Sequence, residues 1–443
     1  MKLLLSLVLI FATLPSLAHA QGLSIIRDTE IERTLDKWVE PILSQAGLSN
    51  DQVNIALVNS GDVNAFVAGG SNIFIYSGLI QTAEYPEEIL GVIAHEVGHI
   101  TGGHLIASRR AMEKASYQSM LAMVLGVGAA IATGDGGAAS AISIGGSGLA
   151  QRGFYGHSRI QESAADQAGL KYLAGTDINP QGIVSFLGKL EGQELLPASQ
   201  QSEYMRTHPL TRNRIDTMRV AVQNLSNNNP LGVSDKQADF DFIKAKLMAF
   251  REPQMVSRYY DANSDKDVDL YANGIMQYQK KNFDESISIF DRLINQNPKN
   301  PYFIEMKAQT LRDAGRLSES EVAYKKTLSM MTGDAPLIQN ALAHVMIEQQ
   351  KSGADIEDLL LSSIQSDSRD SEAYRLMATL KGRKGLEAEA QYYMAERATL
   401  NGRKSEARRL LALSLNGEKL PPALKIKAND LKLYLDRLPK ADK

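Results

Sequence analysis

The chain has 443 residues, of which 44% are hydrophobic and 22% charged, and its 48 Lys and Arg against 51 Asp and Glu give a net charge of −3. This is the composition of a globular protein; it excludes a wholly disordered or collagen-like chain, and without a basic excess we expect no nucleic-acid partner. Cysteine is absent, which excludes disulfides, thiol catalysis and thiolate zinc sites, so a metal site must use His, Asp or Glu.

Residues 1–20 have the pattern of a secretory signal peptide. One Lys precedes a mostly apolar run over residues 3–14, and the segment ends in an A-x-A cleavage pattern at residues 18–20. The apolar run is shorter than the ~20 residues needed to cross a membrane. We therefore expect cleavage after Ala20, export to the periplasm of a bacterium, and no transmembrane span in the mature chain.

The next part of the chain combines helices with short strands. Residues 28–47 place apolar side chains at helical spacing. The β-rich runs 53–59, 64–67 and 73–76 predict a small antiparallel sheet. Residues 87–112 are predicted to be helical again.

Residues 119–150 are apolar, rich in Gly and Ala, and free of Lys and Arg. Asp135 interrupts the segment, and its first apolar run, 120–132, is too short for a membrane span. We interpret the segment as two short helices packed over the domain, either as core helices or as a lid. Contact of this segment with a membrane surface is left open.

A polar segment at 224–236, rich in Asn, Ser, Pro and Gly, marks a domain boundary. A connecting helix is expected around 240–250. The predicted organisation is a signal peptide over 1–20, a first domain over 21–225, a linker with the connecting helix over 226–264, and a repeat domain over 265–443.

The last part of the chain repeats itself with a period of 34 residues. Residues 281–286 recur as 315–320, Phe290 recurs as Tyr324, and a weaker copy spans 372–397. A helix–turn–helix unit of this length is typical of tetratricopeptide repeats, in which each unit buries one face only against the next.

Residues 93–100 contain the motif H-E-x-x-H within a stretch of helical period. His95 and His99 project from one face of a helix about one pitch (~5.4 Å) apart, and two imidazoles at this spacing can bind one Zn²⁺. Glu96 lies about 100° around the helix, beside the metal, where it can act as general base toward water. The motif predicts a hydrolase with one zinc ion per chain; the alternative is a buried polar helix face.

A catalytic zinc needs a third protein ligand and an open fourth position. His104 lies one residue short of the third histidine of H-E-x-x-H-x-x-G-x-x-H, and His157 stands alone in a loop. Glu162 is the better candidate, because Asp166 follows it by one helical turn. One carboxylate could bind the metal while the other accepts the second N–H of a ligand histidine. On the residues alone all three candidates stay open.

Three motifs together resemble one peptidase family. HEVGH at 95–99, ESAAD at 162–166 and THPLTRNRI at 207–215 are similar to the gluzincin peptidases related to CAAX-prenyl protease and HtpX, as is the NAF…GG…I…GL stretch at 64–79. The signal peptide and the repeats point to a soluble periplasmic, BepA-like branch. The motifs cover about residues 60–220. Because CAAX-prenyl protease and HtpX cross membranes several times and this chain is not expected to, their substrates are not carried over.

The resemblance implies a role for each residue of the first two motifs. It assigns His95, His99 and Glu162 to the zinc ion, Glu96 to the general base, and Asp166 to a place behind the metal ligands.

The third motif and the strand bring further residues to the expected site. His208 and Arg214 match the family's His and Arg beside the scissile carbonyl, where they would stabilise the oxyanion. His208 could instead fill the open zinc position and hold the enzyme latent, and Arg214 could only pair with a helix acid. The strand with Asn64, Ala65 and Phe66 is expected to form the cleft edge and to bind an extended substrate by strand addition.

The predicted fold is α+β and mostly α: a gluzincin-type metallopeptidase domain with a small antiparallel sheet, followed by an α-solenoid of tetratricopeptide repeats. The predicted function is that of a periplasmic zinc endopeptidase acting on protein clients in outer-membrane protein assembly quality control. Its repeats would hold outer-membrane proteins or their assembly machinery. Two alternatives are kept: a chaperone or assembly scaffold whose peptidase is mostly silent, and a hydrolase of cell-wall peptides.

Overall fold

A computed structural model describes residues 24–104, 107, 159–225, 231–417 and 420–438 of the chain. The predicted signal peptide with its expected cleavage site, the Gly/Ala-rich segment at 119–150 and His157 lie outside these residues. In the described ranges no helix is both long and apolar enough to cross a membrane.

The first domain opens with a helix and four short strands. They are β1 (Ile25–Ile26), α1 (Thr29–Gln45), β2 (Asn54–Val58), β3 (Ala65–Ala68) and β4 (Asn72–Tyr76). The backbone N–H of Ile31 donates to the Asp28 side chain, which caps α1. The helix then buries its apolar face, with Trp38 and Val39, in the first hydrophobic core.

The four strands form one sheet in the order β1-β2-β4-β3. β3 and β4 pair as an antiparallel hairpin whose turn uses Gly69 and Gly70, both at positive φ. The expected pairing needs one correction, because β2 and β4 run parallel and the sheet is mixed. Residues 59–64 carry the chain past the position of β4, so that β4 returns between β2 and β3. This leaves β3 as an edge strand.

Helices follow the sheet and complete the first domain. They are α2 (Ser77–Thr82), α3 (Pro86–Thr101), α4 (159–174), α5 (Gln181–Leu190), α6 (Glu203–Thr207) and α7 (Arg212–Gln223), with short 3-10 turns at Gln193–Leu195 and Ala198–Gln200. The helix predicted over 87–112 is broken: α3 ends at Thr101, and Gly103 turns the chain at positive φ. His104 therefore lies beyond the end of α3 and not on its far face.

Small residues let α3 and α4 cross in backbone contact. A Cβ atom added to Gly98 would lie 2.7 Å from the carbonyl oxygen of Ala165, and one added to Gly169 would lie 3.0 Å from the carbonyl carbon of Ala94. The distance at Gly98 is too short for a Cβ atom unless the backbone shifts, and the distance at Gly169 is tighter than most Cβ contacts. The crossing places the first turns of α4 beside the histidine face of α3.

Helix α8 (Gln237–Arg251) joins the first domain to the helical array. Its Phe240, Ile243 and Leu247 belong to the first hydrophobic core. Its Ala245 and Ala249 belong to a second core with residues of the following helices. The connecting helix thus packs on both sides.

The array that follows is built from helices that each pack against the next. After a 3-10 turn (Pro253–Met255) and α9 (Val256–Tyr259), the helices are α10 (Asp267–Gln279), α11 (Phe283–Gln296), α12 (Pro301–Asp313), α13 (Leu317–Met330), α14 (Pro336–Glu348), α15 (Ala354–Ser366), α16 (Ser371–Arg383), α17 (Glu387–Leu400), α18 (Lys404–Leu415) and α19 (Pro422–Arg437). Alternate helices from α10 to α18 begin 33 to 35 residues apart. The turns within successive pairs use Lys281, Gly315, Gln350 and Gly385, all at positive φ. The α+β, mostly α fold class with a helical repeat region is confirmed.

A buried ion cluster joins the array to the first domain. The Lys246 ammonium, 2% exposed, lies 2.6 Å from Asp28 Oδ2 and 3.1 Å from Glu30 Oε2. The Tyr271 hydroxyl, on the first helix pair, donates to the same oxygen of Glu30 at 2.6 Å. Glu305 Oε2 lies 3.9 Å from the ammonium. One cation thus faces carboxylates from both halves of the chain.

Candidate active site

The H-E-x-x-H histidines meet on the buried face of α3. His95 Nε2 and His99 Nε2 lie 3.1 Å apart, and the His95 residue is 2% exposed. The spacing of four residues brings the two side chains over one another, as a helix of 3.6 residues per turn requires. Both Nε2 atoms point at the same place between α3 and α4.

Glu162 on α4 reaches both rings. Its Oε2 lies 3.4 Å from His95 Nε2 and its Oε1 lies 3.4 Å from His99 Nε2. The backbone contact at Gly98 makes this approach possible. The structure therefore places Glu162 where a third metal ligand belongs.

His208, directly after α6, completes the group. Its Nδ1 lies 3.4 Å from His95 Nε2 and 3.3 Å from Glu162 Oε2. Each of His95, His99, Glu162 and His208 offers one ligand atom, and all four atoms lie within 4.8 Å of one another. Ligands bound at 2.0–2.1 Å in a tetrahedron are roughly 3.3–3.4 Å apart. The separations of 3.1–3.4 Å between these atoms fit a zinc ion.

The proton positions required by hydrogen bonds agree with metal binding. His95 Nδ1 lies 2.9 Å from Asp166 Oδ1, so this nitrogen carries the proton and Nε2 is free to bind a metal. His208 Nε2 lies 3.2 Å from the Ala65 carbonyl oxygen and must donate to it, which leaves Nδ1 as the metal-facing atom. His99 Nδ1 lies 3.0 Å from His104 Nδ1. His104 therefore contacts a ligand histidine from behind, a role that the Gly102-Gly103 helix stop could have indicated.

Asp166 is held between His95 and Arg214. The Arg214 guanidinium donates to it twice, from Nε at 2.8 Å and from Nη2 at 2.9 Å. Burial alone would raise the pKa of Asp166, but hydrogen bonds from His95 and Arg214 outweigh it and lower the pKa to about 2. The carboxylate stays charged and fixes the orientation of the His95 ring.

Arg214 is engaged on several sides. Besides its two hydrogen bonds to Asp166, its Nη1 donates to the Pro209 carbonyl at 2.8 Å and lies 3.1 Å from Glu162 Oε2. The side chain braces two carboxylates of the site.

Glu96 is fully buried, and neither carboxylate oxygen has a hydrogen-bond partner within the described part of the chain. Its Oε1 lies 3.4 Å from His208 Nε2. Burial raises the pKa of Glu96, and His208 and His95 act against that rise. A buried carboxylate beside the ligands, with its lone pairs unused, fits a general base whose partner is water.

The edge strand is attached to α6. The backbone N–H of Tyr204 donates to the Val63 carbonyl at 3.0 Å. Asn64 Nδ2 donates to Glu203 Oε2, and the Thr207 hydroxyl donates to Asn64 Oδ1, both at 3.3 Å. These bonds hold the helix that carries His208 against the free edge of the sheet.

Of the three edge-strand residues, Ala65 reaches the site directly through its carbonyl oxygen. Asn64 reaches it through α6. Phe66 stacks on Phe74 at 5.1 Å between ring centroids and packs edge-on against Tyr76. The Phe66 side chain is thus part of an aromatic cluster on the sheet.

The aromatic ring of Tyr204 covers His208. The two rings stack at 4.8 Å with an interplanar angle of 28°, and Phe186 packs edge-on against Tyr204 at 5.6 Å. Tyr204 is 1% exposed, and its hydroxyl has no hydrogen-bond partner among the residues that the structure describes. Sequence reasoning did not identify this residue, because no motif marks it.

Comparison with known proteins shows what the chain is similar to. Residues 27–222 match the family model of Peptidase family M48. The chain is 24% identical over 398 residues to a protein of Yersinia pestis named "Beta-barrel assembly-enhancing protease", covering 88% of this chain and 80% of that protein. A protein of the same name from Escherichia coli (strain K12) is 23% identical, with 89% and 81% covered. "Metalloprotease YcaL" of Escherichia coli is 31% identical over 39% of this chain and 63% of that protein.

Proposed function

We propose that this protein is a periplasmic zinc endopeptidase that hydrolyses protein clients during outer-membrane protein assembly. The match of residues 27–222 to Peptidase family M48 and the protease names of the relatives support this proposal. The signal-peptide pattern of residues 1–20 supports the compartment. The names of the relatives from Yersinia pestis and Escherichia coli support the biological setting. The spacing of the four ligand atoms is the observation that carries the catalytic part.

In the proposed reaction, His95, His99 and Glu162 hold one zinc ion. A bound zinc ion acts as a Lewis acid that polarises the scissile carbonyl and makes water more acidic. Glu96 takes a proton from the attacking water and returns it to the nitrogen of the leaving amine. Asp166 keeps the His95 ring in the required tautomer.

We also propose that the described arrangement is a resting state closed by His208. A catalytic zinc site keeps one coordination position for water or substrate, and His208 Nδ1 lies where that fourth position would be. The same ring donates to the Ala65 carbonyl on the edge strand. An extended substrate that adds to β3 needs that carbonyl, so His208 would have to leave before cleavage.

The helical array is proposed to be a tetratricopeptide-repeat domain that binds protein clients. The regular 33–35-residue spacing of its helices and the positive-φ turn in each pair support this assignment. Binding to outer-membrane proteins or their assembly machinery belongs to the same proposal.

The test of the peptidase function is Glu96→Gln, which keeps the shape of the side chain and removes the base. We expect the variant to bind zinc as the wild type does and to lose cleavage of unfolded casein. The proposal fails if purified wild-type protein binds no zinc, or if Glu96→Gln cleaves at the wild-type rate.

A second candidate function is favoured by one observation, the closure of the metal site by His208. It is a chaperone or assembly scaffold in which cleavage is occasional. Cells that carry Glu96→Gln instead of the wild type separate the two. Normal outer-membrane protein levels in these cells favour the scaffold, whereas accumulation of unassembled protein favours the peptidase.

A further inference from the structure

We propose that Tyr204 is a catalytic residue of this site, whose hydroxyl donates a hydrogen bond to the carbonyl oxygen of the scissile peptide while negative charge develops there. The inference rests on the proposed endopeptidase function and deepens it. Tyr204 lies outside the three sequence motifs, and its hydroxyl would be the hydrogen-bond donor to the oxyanion.

The first observation is the unused hydroxyl itself. Tyr204 is 1% exposed, and its oxygen has neither a donor nor an acceptor partner in the described chain. Burying a hydroxyl without a partner is unfavourable. A Phe at this position would keep the ring contacts with Phe186 and His208 and would avoid that cost. Among the residues that the structure describes, the hydroxyl therefore makes no stabilising hydrogen bond.

The second observation is where the phenol lies. Burial raises the pKa of the Tyr204 phenol, and the charge of Glu96 adds to the rise. Its ring stacks on the imidazole of His208. Any group that replaces His208 over the metal ligands must therefore lie against Tyr204.

The third observation is that the other donors are already committed. Arg214 directs its N–H groups at Asp166, Pro209 and Glu162. His208 donates from Nε2 to Ala65. In the described part of the site, the Tyr204 hydroxyl is a donor that would give up no existing hydrogen bond on turning to a substrate oxygen. Donors that are fixed in place before reaction are the ones that stabilise an oxyanion most.

The test is Tyr204→Phe in the full-length zinc-loaded protein, with unfolded casein as substrate. Loss of one oxyanion donor lowers kcat by roughly 10²-fold, and we expect such a fall with KM and zinc content unchanged. Because the hydroxyl has no partner in the part of the chain that the structure describes, we expect the Tm to stay the same or to rise. A purely structural hydroxyl would give the opposite pattern.

Tyr172→Phe is the matched control. The Tyr172 hydroxyl lies 2.9 Å from Thr101 Oγ1, outside the metal site, so this variant should lose stability and keep its kcat. Glu96→Gln gives the baseline. If the wild type exceeds that baseline while Tyr204→Phe matches the wild type, the Tyr204 inference is overturned and the peptidase function stands. If the wild type does not exceed the baseline, both are overturned.

Discussion

His208 Nε2 lies 3.2 Å from the carbonyl oxygen of Ala65, and Nδ1 of the same ring lies 3.4 Å from His95 Nε2. One imidazole therefore fills the position beside the candidate metal ligands and also uses a hydrogen-bond acceptor of the edge strand. The two contacts use different nitrogens of the same ring. A rotation of the His208 side chain out of the site would break both. Movement of this one side chain would thus open both the fourth metal position and the Ala65 carbonyl.

We expect His208→Ala to raise the rate of casein cleavage. The substitution removes the fourth ligand atom and frees the Ala65 carbonyl for an incoming strand. Initial rates at equal zinc occupancy measure the effect, and zinc affinity should fall because one ligand is lost. His344→Ala is the control: this half-exposed ring pairs with Glu348 at 3.3 Å in the helical array. A rate below that of the wild type would contradict the resting closure.

Asp166→Asn should weaken zinc binding. The carboxylate fixes the His95 ring, and loss of such a supporting hydrogen bond typically costs 10- to 100-fold in metal affinity. It also removes one of the two carboxylates that face the buried Arg214 guanidinium, so the stability should fall. Competition with a chelator measures the affinity. Asp216→Asn, an exposed residue that pairs with Arg219 at 3.1 Å, should change neither property.

Gly98→Ala should disturb the site through packing alone. The new Cβ would lie 2.7 Å from the Ala165 carbonyl oxygen, which forces α3 and α4 apart. Overpacking of this kind costs about 1–3 kcal/mol, and Glu162 should move away from the histidines. Urea unfolding and zinc titration measure the two effects. Gly188→Ala in α5 has open space around it in the described structure and should be neutral or stabilising.

Lys246→Ala should destabilise the whole chain. It leaves Asp28 and Glu30 in the ion cluster without their cation, and removal of one partner from a buried pair costs about 3–5 kcal/mol. Lys432→Ala breaks an exposed pair with Asp436 and should cost about 0–1 kcal/mol. Similar losses in both variants would contradict a structural role for the cluster.

The same cluster predicts a dependence of stability on pH. Burial raises the pKa of Glu305 to about 7, although the Lys246 charge opposes the rise and those of Asp28 and Glu30 add to it. A carboxyl whose pKa is higher in the folded state makes folding less favourable as the pH rises from the unfolded value toward 7. Glu305→Gln should therefore gain stability relative to the wild type across this interval. A constant difference between pH 4.5 and 8 would contradict the prediction.

Local sequence spacing was enough to find the residues that share a helix face. His95 and His99, and likewise Glu162 and Asp166, are separated by one helical turn, and the structure brings the two pairs together. Contacts between distant segments could not be read in this way. The parallel pairing of β2 with β4 depends on where residues 59–64 cross the sheet. The Tyr204 hydroxyl lacks a hydrogen-bond partner among the described residues because of the side chains that pack around it, and these come from distant parts of the chain.

The double packing of α8 means that the chain has no place between its halves where it could be divided cleanly. Phe240, Ile243 and Leu247 complete one core while Ala245 and Ala249 complete another. Truncation before α8 would expose the hydrophobic core of the first domain, and truncation after α8 would expose the core of the helical array. Experiments on separate fragments would therefore measure the loss of packing around α8 as much as the function of either half.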